Sequence, residues 1–282
     1  MMSAPMDKQE KYQALVKKQE KNFRAIRSMR PLPHDGVEYF RREFAISSTH
    51  NSNAIEGNTF TYDEAKLLLE KGITSSARSF REHADIVGYK KGFDFLYDSL
   101  RADVRMDEGF IKKLHSFVLN NEEGAGQYRT VQNYIGDLTK VVYTPCPPAQ
   151  VPEKMAEYTA GLQKESVLNK ELLQEESVDW LKIFHSLAAH HIEFERIHPF
   201  LDGNGRTGRL LLTYELLSLG LLPIDIRYEE RKRYYAALAA YGDKEKYSTR
   251  TESKTEKMAK LLLEKEVSSG DLWIKTFADY LS

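Results

Sequence analysis

Residues 198–209 read HPFLDGNGRTGR, and nearly every position in this stretch has a chemical use. Pro199 disfavours α geometry at the residue before it, so a helix arriving from upstream is expected to stop at His198 and leave the imidazole on a turn. Asp202 is a hard oxygen ligand of the kind magnesium prefers. Gly203 and Gly205 bracket Asn204 and let backbone N–H groups come close to an anion. Leu210, Leu211, Leu212, Leu216 and Leu217 mark a buried helix, which places Arg206 and Arg209 in its first turn, three apart and on one face. A base, a metal ligand, a glycine-lined helix N-terminus and two guanidinium groups describe a polyphosphate site.

Upstream of this stretch, residues 178–197 carry Leu181, Phe184, Leu187, Ala188, His191 and Phe194 at helical spacing, which predicts a central core helix delivering the chain to His198. Downstream, Gly220 and Pro223 stop the leucine-rich helix, and Tyr234, Tyr235 and Leu238 mark another over 231–241. Toward the N-terminus the spacing predicts helices over 7–29, from Val37 onward, over 61–72 behind a Thr61–Glu64 capping box, over 78–100, and around His115. The run 47–58, SSTHNSNAIEGN, is polar with poor helix propensity through its middle, yet Ser52 and Glu56 fall four apart on one face before the natural stop at Gly57. His115 sits on an apolar face, where a packed, hydrogen-bonded core histidine is the favoured reading. Only residues 128–148 change texture. Two β-type runs, 128–135 and 141–143, flank Gly136-Asp137, and Pro145, Pro147 and Pro148 follow, so a β-hairpin is expected. Helices over 151–162, 258–263 and 272–281, with a polar stretch over 243–257, complete a mainly α fold.

At 282 residues and net charge −1, the chain is long enough for a real core and carries no general signature of nucleic-acid binding. The basic cluster Arg227, Arg231, Lys232, Arg233 contains Glu229 and Glu230 and reads as a solvated helix start. The single cysteine, Cys146, rules out an intramolecular disulfide and fits a reducing compartment. The first residues, MMSAPMDKQEKYQ, hold no apolar segment of secretory type, and no window approaches the roughly 20 apolar residues that a bilayer span needs. A soluble cytoplasmic protein without a membrane partner is expected. His185, His190 and His191 do not form an HExxH pair, and neighbours on a helix point about 100° apart, so a protein-ligated zinc is disfavoured. No GxxxxGK[ST] loop occurs, and the glycines at 203, 205 and 208 do not follow a predicted strand, which disfavours the P-loop and dinucleotide folds.

His198 to Arg209 matches the Fic-domain signature, HxFx(D/E)GNGRxxR, at every defined position, and on those residues the chain resembles the Fic family. The 128–148 hairpin is similar to that family's target-docking flap. Tyr234-Tyr235-x-x-Leu238 with Gly242-Asp243 resembles the helix behind the nucleotide base. Residues 52–57, SNAIEG, match the family's inhibitory motif, (S/T)xxxE(G/N). The resemblance implies a Fic-type helical core over 106–248 with one inserted β-hairpin flap, an N-terminal helical region 1–105 carrying the inhibitory motif, and a C-terminal helical extension 249–282.

It further implies a protein adenylyltransferase that moves AMP from ATP to a Ser, Thr or Tyr hydroxyl of a target protein docked on the hairpin. His198 would be the general base and Asp202 the ligand of a magnesium ion bridging the α- and β-phosphates. Nucleotide contacts would come from Gly203, Asn204, Gly205, Arg206, Thr207, Gly208 and Arg209, with Arg206 on the β-phosphate and Arg209 on the γ-phosphate, and Tyr235 near the base. Glu56, helped by Ser52, would pair with Arg209 and hold the enzyme off. Other donors (another nucleotide, phosphocholine or phosphate) and removal of AMP through Glu56 stay open. The phosphate-transferring relatives usually carry lysine where Gly205 stands. A non-enzymatic interaction module is the remaining alternative, and intact His198 and Asp202 weigh against it. Target and oligomeric state, a homodimer included, stay open.

Overall fold

In the computed structural model, which describes residues 7–120, 122–136, 141–240, 247 and 254–281, the architecture is mainly α. Its helices are α1 (Lys8–Ser28), α2 (His34–Ile55), α3 (Tyr62–Lys71), α4 (Phe80–Arg101), α5 (Glu108–Val118), α6 (Val151–Leu172), α7 (Trp180–Ile197), α8 (Asn204–Ser218), α9 (Arg231–Leu238) and α10 (Glu256–Leu281). Strands β1 (Ile135–Gly136) and β2 (Val141–Tyr143) pair antiparallel, Ile135 opposite Tyr143. Among the described residues, no helix is long and apolar enough to cross a membrane.

Helix α7 organises the rest because its apolar residues face two cores. Its N-terminal half, with Trp180, Ile183, Phe184 and Leu187, packs with α10 and with Leu212 and Leu216 of α8. Its last turn, with Phe194 and Ile197, joins Phe200 and residues of α4, α5 and α6 in a second cluster. Burial at both ends fixes the position of the residue that follows, His198.

Several expected boundaries move, each for a tertiary reason. Helix α2 starts at His34, behind Pro33, and stays helical through the polar run to Ile55. There Ser48, Thr49, Asn51, Ser52 and Asn53 are buried. Ser48 Oγ meets Tyr89 OH at 2.9 Å, and Ser47 Oγ and Asn51 Nδ2 donate to Asp225 Oδ2 at 2.6 and 2.7 Å. Partners on other elements outweigh the poor local propensity. Helix α6 runs on to Leu172 rather than stopping near 162. Asn169 in the added turns donates to Ser186 Oγ of α7 at 3.1 Å. The two C-terminal helices are one, α10, pinned midway where Asn22 Nδ2 of α1 donates to Val267 O at 3.1 Å and Asp271 Oδ1 at 3.0 Å.

The hairpin is shorter than expected. Over 128–134 the polar groups turn to the signature loop instead of a ladder. Arg129 N donates to Pro199 O at 2.9 Å and its Nε to His198 O at 2.8 Å, and Asn133 Nδ2 donates to Phe200 O at 2.9 Å. The hairpin turn at 137–140, Gly242-Asp243 and most of the polar stretch after it lie outside the described residues.

Candidate active site

Residue 198 ends α7 in the left-handed region, at φ 51° and ψ 60°, with its N–H on Phe194 O at 3.0 Å. Pro199 therefore does remove it from α geometry, though into a compact turn rather than an extended one. His198 Nδ1 lies 3.2 Å from Glu195 O. A carbonyl only accepts, so Nδ1 carries the proton and Nε2 keeps its lone pair. Burial, more than any neighbour, pulls the imidazole down to about 4, so it is neutral at physiological pH.

The loop between α7 and α8 is held from three sides. His115 Nε2 donates to Asp202 O at 2.9 Å, and its Nδ1 accepts from Gly126 N at 2.8 Å. Its ring stacks on Phe200 with centroids 3.6 Å apart. The core reading of His115 is what the fold shows, with the added role of bracing this loop. Asn204, almost fully buried, closes the loop on itself, accepting from Phe200 N at 2.9 Å and donating to Phe200 O at 2.8 Å. Its side chain is thus spent on loop shape, and the donors left for an anion are backbone N–H groups at the start of α8. Asn204→Ala is expected to lower stability by about 2–4 kcal/mol, since two buried backbone groups lose their partners. An unchanged urea midpoint would contradict that role.

Along α8 the side chains diverge. Arg206 is buried, ion-paired with Asp85 of α4 and 3.5 Å from Asp202 Oδ1. Thr207 is fully buried and Gly208 faces α7, where an added Cβ would fall 2.4 Å from Glu195 Oε1. Neither lines the pocket, and Gly208 allows the close approach of α8 to α7. Arg209 turns back toward α2. Its Nε donates to Ser52 Oγ at 2.8 Å, and its NH2 group donates to Ser52 O at 2.9 Å and Glu56 Oε1 at 2.8 Å. An added Cβ at Gly205 would lie 2.4 Å from Glu56 Oε1, so glycine there makes room for the ion pair. Burial opposes the charge of Arg209, but Glu56, Tyr234 and Glu195 outweigh it and raise its pKa.

A pocket of about 530 Å³ opens beside these groups. It is lined by His198, Gly205, Arg209 and Glu56, by Ile135 and Tyr143 of the hairpin, and by Tyr235, Leu238 and Ala239. Tyr235 OH donates to Ile55 O at 3.1 Å, tying α9 to the end of α2. Tyr234 lies behind it, its OH 2.8 Å from His191 Nε2. Asp202 is half exposed, with Oδ2 2.8 Å from Arg81 and Oδ1 accepting from Gly203 N at 2.6 Å. The other histidines are separately engaged. His190 lies between Glu215 and Glu165, and His185 Nδ1 is 2.6 Å from Thr255 Oγ1.

Sequence reading missed Glu195, Asp85 and Arg129 as parts of this site. Glu195 alone had a local signal, falling in the last turn of the helix that delivers His198. The other two come from elements distant in sequence.

Residues 105–216 match the family model described as the Fic/DOC family. The chain is 32% identical over 210 residues to protein adenylyltransferase fic-1 of Caenorhabditis briggsae, covering 72% of this chain and 38% of that protein. It is 30% identical over 209 residues to protein adenylyltransferase Fic of Nematostella vectensis, covering 72% of this chain and 45% of that one. The chain therefore spans less than half the length of these curated relatives. Its fold is similar to a Fic domain-containing signaling protein from Bacteroides thetaiotaomicron, with TM-score 0.78 and 24% identity over 93% of this chain and 96% of that one. Fic-1 of Caenorhabditis elegans (residues 134–508) gives TM-score 0.73 and 24% identity, over 94% of this chain and 71% of that one.

Proposed function

The chain carries a domain of the Fic/DOC family, and on that premise we propose that it transfers AMP from ATP to a hydroxyl of a protein target. The observation that carries this reading is the shared pocket of His198, with Nε2 unprotonated, the N-terminus of α8 and Arg209. His198 Nε2 takes the proton of the target hydroxyl as its oxygen attacks the α-phosphorus. The bond from α-phosphorus to the bridging oxygen breaks, and pyrophosphate leaves. N–H groups at the start of α8 face the charge that grows on the α-phosphate, and a prearranged donor needs no reorientation at that moment. Arg209 takes the γ-phosphate once Glu56 releases it, Arg206 takes the β-phosphate on leaving Asp85, and Tyr235 stands near the base.

Magnesium fits the residues present. It is commonly held by one or two carboxylates, with water and phosphate oxygens completing its shell. Asp202 is such a carboxylate, half exposed and 3.5 Å from Arg206, although Arg81 must give way. Bound there, the ion would neutralise charge on the phosphates. A reducing, ATP-rich cytoplasm suits both the donor and the free, buried Cys146. A target segment would pair along the hairpin edge near the pocket mouth.

Glu56 sets the state of the enzyme. While it holds Arg209, that guanidinium is not available to a γ-phosphate, and the α-phosphorus is not aligned for attack. ATP turnover by a Glu56→Gly variant should release pyrophosphate, measured directly in the medium. Release of ADP or orthophosphate alone would reject AMP transfer. A second reading, hydrolytic removal of AMP, is favoured by Glu56 itself, whose half-exposed carboxylate lines the same pocket and could orient a water. Loss of AMP from a modified target on adding the unaltered protein, and not on adding Glu56→Gly, would support it.

A further inference from the structure

One acidic group in the pocket has no task in the reaction above. Glu195 lines the pocket beside His198, Arg209 and Tyr234. Its Oε1 is sealed from solvent with no hydrogen-bond partner. Buried acceptors are rarely left so, and one in a pocket wall is commonly completed by what the pocket holds. Burial chiefly, with Glu56 adding to it and Arg209 opposing it, pushes the carboxyl up to about 7.

Position narrows what could complete it. Glu195 sits in the last turn of α7, its backbone carbonyl 3.2 Å from His198 Nδ1 and its carboxyl against Gly208 of α8. It therefore lines the pocket near His198 and Arg209. Its charge opposes that of a triphosphate, so the part of a nucleotide set against it must be neutral and rich in donors. Ribose hydroxyls have that chemistry, and carboxylates recur as their acceptors in nucleotide sites. Room for the group is built in, because Gly208 lacks the Cβ that would sit 2.4 Å from Glu195 Oε1.

We propose that Glu195 recognises the ribose hydroxyls of the donor nucleotide and makes this pocket select ribonucleotides over deoxyribonucleotides. The inference rests on the nucleotide-transfer reading and deepens it. Glu195 is thus a specificity residue, with no part in moving the proton.

The test is calorimetric titration of ATP, 2′-deoxy-ATP and 3′-deoxy-ATP, with magnesium, into the full chain carrying Glu56→Gly and His198→Ala, which frees Arg209 and prevents turnover. In that parent, ATP should bind roughly 10-fold or more tighter than the deoxy analogues, as expected of a site with a dedicated hydroxyl partner. Adding Glu195→Ala should weaken ATP to the level of the analogues, while Glu195→Gln, which keeps an acceptor, should restore part of the gap. Thermal melting of each variant without nucleotide should stay close to that of the parent, which separates a loss of binding from a loss of fold. Equal affinities in the parent, a gap that survives Glu195→Ala, or loss of ATP-over-GTP preference with that gap intact would overturn the proposal. Absence of any ATP binding to the parent would overturn the nucleotide-transfer reading as well.

Discussion

Glu56→Gly is expected to raise the rate of AMP transfer by roughly 10- to 100-fold, the range set by charge-assisted hydrogen bonds worth about 1.5–3 kcal/mol. The contact removed is the 2.8 Å bond from Arg209 to Glu56, in which the arginine is 7% exposed and the glutamate 40%. Half-exposure of Glu56 keeps the expected gain below that of releasing a fully buried pair. Arg209 stays in place because Ser52 still accepts from it through both Oγ and the backbone carbonyl. Ser52→Ala, which removes only the hydroxyl, should give a smaller rise. Initial rates with ATP in excess check both. Equal rates for Glu56→Gly and the unaltered protein would mean that the ion pair does not limit turnover.

Loss of the base should act in the opposite direction. His198→Ala, made in the activated Glu56→Gly protein, is expected to slow transfer by about 10²–10⁴-fold, the usual weight of a positioned general base. Nucleotide binding should change little, because Arg209 and the start of α8 remain. The pH profile adds a second check. A base works unprotonated, and burial holds His198 down at about 4, so it is already neutral through physiological pH and loses function only as pH falls through that value. The His198 limb of kcat/KM should therefore lie well below an ordinary imidazole value of about 6.5. A limb at that ordinary value would place the ring in bulk water rather than in this pocket.

The contiguous part of the site was legible in sequence, and the parts assembled in space were less so. His198, Asp202, Gly205 and Arg209 can be read from one stretch because spacing alone sets their relative positions at a helix start. The same stretch misleads where packing decides direction. Asn204 bonds to Phe200 instead of facing the pocket, and Gly208 faces Glu195 and Phe194 of α7. Such orientations depend on elements that periodicity does not locate. Ser52 and Glu56 had a visible i, i+4 relation, but only the family resemblance supplied a partner more than 150 positions away. Arg129 bracing His198 O had no local signal, since its donors are drawn to a loop distant in sequence. The polar middle of α2 is the clearest case of tertiary override. Its buried Ser, Thr and Asn side chains look like a break in sequence and become a packed face once Tyr89 and Asp225 are beside them.

The most direct test of AMP transfer restrained by Glu56 is to incubate the Glu56→Gly protein and the unaltered protein with ATP labelled at either the α- or the γ-phosphate, then count label on protein. Label is expected from the α position alone, far more with Glu56→Gly than without it, and none once His198→Ala is added. Protein labelled from the γ position, or left unlabelled by the α position, would contradict it.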